Sequence, residues 1–154
     1  MCIRDRVYPI TITADDGEGG TVTDSFDLTV TNPAPDAVDD ALSGSEDAVV
    51  TGYVITANDS DPDGDTLSVT EVGGIAANLS QAVAGSNGGL FTINPDGSYV
   101  FAPNDEFEGL DEGETATTTV TYTISDGEGG TDTCLLYTSP SPRDLSTSRM
   151  PSSA

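Results

Sequence analysis

Hydrophobic and polar residues alternate along most of the chain, in short runs separated by glycine, proline, aspartate and asparagine. Such alternation predicts half-buried β-strands, because successive side chains of a strand point to opposite faces of a sheet. The clearest example is GLFTINPDGSYVFAP, in which Phe91 and Ile93 alternate on one arm and Tyr99 and Phe101 on the other. Its NPDG supplies the proline and glycine of a tight turn, so this segment predicts a β-hairpin.

Further strand patterns recur at the spacing of a β-sandwich. DAVVTGYVI precedes an aspartate-rich stretch, LSVTEV follows it, and TTTVTYTIS leads into a glycine-rich turn at Asp126. No window keeps a helical period; ANLSQAVAG is the only weak helical candidate, and it fits a strand equally well. The pattern predicts an all-β fold, a sandwich with Greek-key connections.

Part of the chain is repeated. TITADDGEGGT (11–21) recurs as TYTISDGEGGT (121–131), and DGEGG is identical in the two copies. A period of that length corresponds to one whole domain of a tandem array. Residues 7–31 are therefore predicted to be the terminal hairpin of a preceding repeat, and residues 36–133 one repeat that lacks its last strand. Between them NPAP, residues 32–35, predicts a short stiff linker, because each proline fixes φ and removes a backbone donor.

The two ends of the chain do not fit this pattern. If residues 1–6, MCIRDR, are read as ATG TGT ATA AGA GAC AG, the reverse complement TGT CTC TTA TAC ACA T encodes CLLYT, which is residues 134–138. Two ends of a natural protein have no reason to be reverse complements, and both resemble a translated sequencing-library adapter. We therefore predict that residues 1–6 and 134–154 are adapter-derived; the alternative is a natural linker rich in serine and proline. Because CLLYT is apolar and β-prone, we expect it to take the place of the missing strand whatever its origin.

The composition is strongly acidic. The chain carries 27 Asp and Glu against 4 Lys and Arg, with no His, and its formal net charge is −23. Nucleic acid is excluded as a partner because it would be repelled, and no membrane insertion is expected. All the arginines and cysteines lie in the two ends, so a Cys2–Cys134 disulfide is not inferred; these residues are Cys2, Arg4, Arg6, Cys134, Arg143 and Arg149. Residues 7–133 consequently contain no basic side chain.

Three motifs of the repeat form a specific combination: ANDSDPDGDTLSV, FTINPDGSYVFAPN and YTISDGEGGT. Together they make residues 36–133 resemble the cadherin-like and VCBS-type repeats of large secreted bacterial surface adhesins, of the RTX-adhesin kind. Residues 7–31 resemble the tail of such a repeat. The resemblance implies an immunoglobulin-like or cadherin-like sandwich, joined to neighbouring repeats of the same chain in extracellular stalks of adhesion and biofilm proteins. It also implies calcium near domain junctions.

The most acidic stretch has aspartates at alternate positions, with the spacing D-x-D-x-D-G: Asp59, Asp61, Asp63 and Asp65. Ca²⁺ takes six to eight oxygen ligands in a flexible shell, which alternate carboxylates around a glycine turn can begin to supply. The loop is not an EF-hand, because Pro62 disfavours a local helix and Thr70 stands where an EF-hand has glutamate. The alternative is a solvated turn of ordinary polar residues. Since residues 7–133 offer these acids no cationic side chain, we favour a calcium site with the four aspartates at its core.

Further calcium ligands would have to come from acids elsewhere in the fold. By the resemblance, the candidates are Asp39, Asp40, Glu46 and Asp47, and the turn acids Asp16 and Asp126. The DGEGG turns around the last two are predicted to be hairpin turns that need positive φ. A phosphate cradle is disfavoured, because neither a helix N-terminus nor a lysine is adjacent and Glu18 or Glu128 would repel the phosphate.

Enzymatic chemistry has little material in this chain. Without histidine, lysine or a native thiol, a serine triad, a cysteine nucleophile and a Schiff base are all unavailable. A carboxylate pair remains formally possible, but no tryptophan is present to stack on a sugar. We predict a non-enzymatic stalk repeat, stiffened by Ca²⁺, at the bacterial cell surface. A halophilic source is an alternative reason for the acidity.

A second hypothesis is a module that itself binds glycan or protein. It requires an exposed aromatic patch on one face or at a loop end. Phe107 is the one aromatic predicted to lie in a loop. The other aromatics of the repeat mostly alternate as core residues would, which favours the stalk: Tyr53, Phe91, Tyr99, Phe101 and Tyr122.

Overall fold

The computed structural model describes residues 6–55 and 58–141. Most of the two predicted adapter segments, with Cys2, Arg4, Arg143 and Arg149, therefore lies outside the described residues. The described residues form ten strands and one short 3₁₀ turn at Ala76–Asn78. The strands are β1 (Arg6–Asp15), β2 (Thr21–Val30), β3 (Asp40–Ser45), β4 (Val50–Tyr53), β5 (Ser68–Val72), β6 (Val83–Ala84), β7 (Leu90–Ile93), β8 (Ser98–Ala102), β9 (Thr118–Ser125) and β10 (Thr131–Ser141).

Eight of these strands form two four-stranded sheets, in the orders β3–β10–β9–β5 and β4–β8–β7–β6. All neighbours pair antiparallel except β3 and β10, which are parallel. The two sheets face each other as a sandwich, so the all-β prediction is confirmed. No helix in the described part of the chain combines the length and apolar character needed to cross a membrane.

The core lies between the two sheets and follows the predicted alternation. In β9 every second residue is buried, from Thr118 through Val120 and Tyr122 to Ile124. The opposite sheet contributes Phe91 and the aromatic rings packed on it. The predicted hairpin is confirmed as β7 and β8, which pair directly and are joined by the NPDG turn.

The core assignment of Tyr53 from the sequence is wrong, and the loop residue Phe107 is buried. Tyr53 is 61% exposed, because it ends β4 on the outer face and Val54 takes the core position instead. Phe107 is only 4% exposed, although it lies in the connection between β8 and β9. Its ring packs against Phe101, with 6.3 Å between ring centroids. Loop membership therefore did not predict exposure for Phe107.

The last strand of the sandwich includes the segment predicted to be adapter-derived. β10 pairs with β9 and β3, and it buries Cys134, Leu136 and Thr138 at alternate positions. This is the placement expected for an apolar, β-prone segment. Its fit is imperfect, because the buried Thr138 hydroxyl has no hydrogen-bond partner among the described residues and Pro140 has no N–H to donate.

The first two strands stand apart from both sheets. β1 and β2 form their own two-stranded antiparallel sheet, joined by the first DGEGG turn. Every residue of the two strands is exposed except Ile10 and Val30, which are half-buried. In both DGEGG turns glycines adopt positive φ, with Gly17 at +76° and Gly127 at +79°, as the sequence predicted.

The placement of β10 predicts unequal effects of two adjacent substitutions. Leu136 is fully buried and Leu135 is 37% exposed. Leu136→Ala should lower the free energy of unfolding by about 2–5 kcal/mol, because it leaves a cavity in the core. Leu135→Ala should change it by about 0.5 kcal/mol or less. Urea denaturation of both variants measures the difference, and equal losses would contradict this position of the strand.

Candidate metal centre

The loop between β4 and β5 brings three of the predicted aspartates together. Asp61 Oδ1 accepts hydrogen bonds from the N–H groups of Asp63 and Asp65, both at 3.1 Å. The N–H of Gly64 donates to the Asp61 carbonyl at 3.2 Å, and its φ of +84° favours glycine there. As a result, one carboxylate oxygen from each of Asp61, Asp63 and Asp65 lies within 4.8 Å of the other two. We call these three residues the acidic triad.

The carboxylates of the acidic triad compete for protons. The hydrogen bond that protonated Asp63 donates to Asp61 raises the pKa of Asp63 to about 6, and burial and the charges of Asp61 and Asp65 add to this. The same hydrogen bond lowers the pKa of Asp61. At neutral pH the proton is therefore lost, and three negative charges are left side by side. A cation in place of the proton would remove that repulsion.

Basic residues are scarce in the part of the chain that the structure describes. Arg6 in β1 is the only one within residues 6–55 and 58–141. Asp61 Oδ2 is shielded from solvent and accepts no hydrogen bond from a described residue. Three carboxylates with one such oxygen fit the hard, oxygen-seeking chemistry of Ca²⁺, whose remaining ligands would be backbone carbonyls and water.

Asp59 does not join the other three aspartates of its loop. Its side chain is turned inward and is 9% exposed. Oδ1 accepts a hydrogen bond from the Val38 N–H at 2.9 Å, whereas Oδ2 has no partner among the described residues. Burial raises the pKa of Asp59, the Val38 N–H opposes this, and the charges of Asp40, Asp132 and Asp36 raise it further. Asp59 thus belongs to a second acidic group, made of Asp36, Asp40, Asp59 and Asp132, which the sequence did not separate from the loop.

Asp39 and Asp40 connect strands of the first sheet. Asp40 Oδ2 accepts a hydrogen bond from the Tyr122 hydroxyl at 2.6 Å, and Oδ1 accepts one from the Asn58 amide at 3.1 Å. Asp39 Oδ1 accepts the N–H of Leu135 at 2.8 Å. Both carboxylates therefore hold β3 against β9 and β10, whether or not they also approach a cation.

Glu46 and Asp47 stand at the other end of β3 from Asp40. Asp40 begins that strand, whereas Glu46 and Asp47 follow its last residue. Their acidic neighbour is Glu108, whose pKa is raised by a hydrogen bond with Asp47 and then by the charge of Asp47. Glu108 was not singled out in the sequence, because its connection carries no motif.

Asp16 and Asp126 cap their own turns. Asp126 Oδ1 accepts the N–H groups of Glu128, Gly129 and Gly130 at 2.7–3.0 Å. Asp16 Oδ1 likewise accepts two turn N–H groups at 2.9 Å, first that of Glu18, and these lower its pKa. For Asp126 burial acts to raise the pKa, but the hydrogen bonds outweigh it and the pKa is lowered. In both turns Oδ1 of the aspartate is therefore committed to backbone donors.

One functional contact of Asp126 was missed in the sequence. The side-chain amide of Asn32 donates to Asp126 Oδ2 at 2.8 Å and so ties the linker to the second DGEGG turn. A carboxamide directly before a proline was the available signal. The stiffness of the linker was predicted from its prolines, but the side chain that anchors the linker is that of Asn32.

Two comparisons with known proteins bear on this site. The family described as a bacterial Ig domain matches residues 32–137, more than half of the chain. The calcium-binding lectin RapA2 of Rhizobium johnstonii is 33% identical to this chain over 101 residues. That match covers 62% of this chain and 42% of the lectin, so the chain spans less than half the length of that relative.

The raised pKa of Asp63 predicts a pH-dependent affinity for Ca²⁺. Below about pH 6 the site keeps its proton, which a cation has to displace, and above it the site is fully ionised. Calcium should therefore bind about tenfold more tightly at about pH 7 than at about pH 5, given one competing proton. Isothermal titration calorimetry measures both affinities and the proton released. Asp63→Asn is the control, because this substitution should make the calcium affinity nearly independent of pH over the same range. If the calcium affinity of the parent protein is already independent of pH, the assignment is contradicted.

Proposed function

The chain belongs to the bacterial Ig domain family, and from this premise we propose that it is a non-catalytic stalk repeat of a secreted bacterial surface adhesin, stiffened by bound Ca²⁺. The observation that carries the proposal is the acidic triad, in which one carboxylate oxygen from each residue lies within 4.8 Å of the other two. The name of the rhizobial relative, a calcium-binding lectin, supports the choice of cation. Cell adhesion and a biofilm matrix are the settings that the cadherin-like resemblance implies.

The stalk role is supported by the way in which the linker is held. The Asn32 side-chain amide donates to the Asp126 carboxylate. The Ala34 Cα lies so close to Gly130 that a Cβ added to Gly130 would be 2.9 Å from it. A linker anchored in this way transmits the orientation of one repeat to the next. We propose the same division as in the sequence: residues 7–31 from a preceding repeat, 32–35 as linker and 36–133 as one repeat.

The proposal includes the origin of the two ends. Residues 1–6 and 134–154 are taken as adapter-derived because the coding sequence read for residues 1–6 is the reverse complement of that for residues 134–138, and the residues that follow resemble the rest of an adapter. The imperfect fit of β10 at Thr138 and Pro140 agrees with a segment not selected for that position. Inverted adapter copies in the underlying nucleotide sequence would test this directly.

Calcium should stabilise the chain through the acidic triad. At saturating Ca²⁺ we expect Tm to exceed the value in chelator by about 5 °C or more, because a ligand that binds only the folded state adds to its stability. The double substitution Asp61→Asn and Asp63→Asn should abolish most of the shift, since asparagine keeps the turn geometry but removes the charges. Thermal melts followed by circular dichroism measure both effects.

Matched controls separate specific binding from charge screening. Asp27→Asn removes one exposed charge from β2 and should leave the calcium shift unchanged. Asp126→Ala should lower Tm equally in calcium and in chelator, because that carboxylate caps a turn. Sodium chloride at the same ionic strength should not reproduce the shift. If it does, the acidity reflects adaptation to salt and the calcium assignment fails.

A second candidate function is recognition of a glycan or a protein surface. It is favoured by the exposed ring of Tyr53 and by the lectin name of the rhizobial relative. An aromatic ring with a free face is the usual platform for a sugar. On this alternative the chain would contact the ligand itself and would not only carry another domain.

Substitution of Tyr53 tests the second candidate. Tyr53→Ala should reduce binding on a glycan array at least about tenfold if the ring is a recognition platform. Its Tm should change little, because the side chain is outside the core. Val49→Ala, at an equally exposed position, is the control. An array on which the parent protein binds nothing in calcium would leave the stalk as the supported function.

A further inference from the structure

The β1–β2 hairpin presents an apolar face that no other described element covers. Cross-strand pairing places its members on one side of the hairpin. Phe26 is 51% exposed and Ile12 56%. A contiguous apolar patch of this kind marks an interaction surface. We call it the open face; its residues are Tyr8, Ile10, Ile12, Ala14, Val22, Phe26, Leu28 and Val30.

The hairpin has the same register as β9–β10. Asp15 pairs with Thr21 in the first hairpin, and Ser125 pairs with Thr131 in the second. The difference in residue number between Asp16 and Asp126 also relates the residue pairs of β1 and β2 to those of β9 and β10. The correspondence holds from the turn to the pair that contains Thr138. The two hairpins therefore place corresponding residues on corresponding faces.

Contacts outside the ladders repeat at the same shift. The hydroxyl groups of Thr13 and Thr23 lie 3.2 Å apart on the outer face of the first hairpin. Those of Thr123 and Thr133 lie 2.9 Å apart on the outer face of the second. The two turns are capped in the same way by the aspartate that opens each DGEGG. The outer faces and the turns of the two hairpins are thus equivalent. We expect their inner faces to be equivalent as well.

The inner face of β9–β10 shows what covers such a surface. Its residues are buried against the sheet β4–β8–β7–β6, and they include Val120, Tyr122, Ile124 and Leu136. The corresponding residues of the open face, in the same order, are Ile10, Ile12, Ala14 and Phe26. The polar side chains on the open face are Asp24, which corresponds to Cys134, and Arg6, which lies over the Tyr8 ring at the end of the hairpin.

We propose that the open face is the inner face of a second Ig-like sandwich, and that its occupant is a sheet of the same kind as β4–β8–β7–β6. This inference rests on the repeat architecture of the proposed function but not on calcium. It also predicts that either hairpin can close the sandwich, because both present an apolar inner face in the same register. Leu28 in place of Thr138 would even remove a buried hydroxyl that lacks a partner.

A hairpin graft tests the interchange within the full chain. Residues 10–31 replace residues 120–141, so that the length is unchanged and the buried Thr118, whose hydroxyl donates to the Gly88 carbonyl, is kept. The graft should unfold cooperatively, with a Tm below that of the parent because Ala14 replaces the buried Ile124. Asp24 would arrive beside Asp40 and Asp59, so a second graft with Asp24→Ser removes that repulsion. If neither graft folds in calcium or in chelator, the proposal is overturned.

Two substitutions in the graft report on the face that is buried. In the grafted copy, Phe26→Asp should abolish the cooperative transition, because it introduces a charge into the core. The neighbouring Ser25→Asp should leave the transition in place, because that position faces outward. Equal effects would show that the graft does not use the open face. A graft that folds without any calcium shift would support this inference and would count against the calcium site alone.

Discussion

The structure depends on how a chain nearly devoid of cationic side chains finds partners for its carboxylates. An ionised carboxylate that loses water needs hydrogen-bond donors, a proton or a cation. Ion pairing, the usual arrangement, is almost absent from the sequence of the repeat. Asp59, Asp61 and Asp126 have therefore recruited backbone N–H groups, and a ligand is expected where several carboxylates still converge.

The partners that an aspartate finds decide its role, and the residue type alone does not. Asp126 accepts turn N–H groups and the Asn32 amide, so its charge is already stabilised and its role is to hold turn and linker together. Asp40 is stabilised by the Tyr122 hydroxyl in a similar way. In the acidic triad Asp61 also caps a turn, but that cap draws three carboxylates together and increases the local negative charge. The same local interaction thus completes a structural contact in one loop and gathers carboxylates in another.

The sequence predicted the fold better than the site. Period-two alternation and turn residues identified the sandwich and the β7–β8 hairpin, because these features follow from local geometry. The core position predicted for Tyr53 was wrong because exposure at a strand end is decided by tertiary packing, which also buries Phe107 although it lies in a loop as predicted. The four alternate aspartates were predicted to act together; three of them converge, whereas the Asp59 carboxylate accepts a hydrogen bond from the Val38 N–H. Glu46 and Asp47 stand at the opposite end of β3 from Asp40, which no sequence pattern reveals.

The convergence of carboxylates in the acidic triad suggests why such a repeat would use calcium and not lysine or arginine. A built-in cation would stiffen the chain permanently, wherever it was made. An external divalent ion makes stiffness conditional, since binding to the folded state contributes only where the ion exceeds its dissociation constant. A repeat in a secreted stalk would then stay loosely held where calcium is scarce and become rigid where it is abundant. The shortage of basic residues, which first appears as a compositional extreme, is on this view the property that makes such a switch possible.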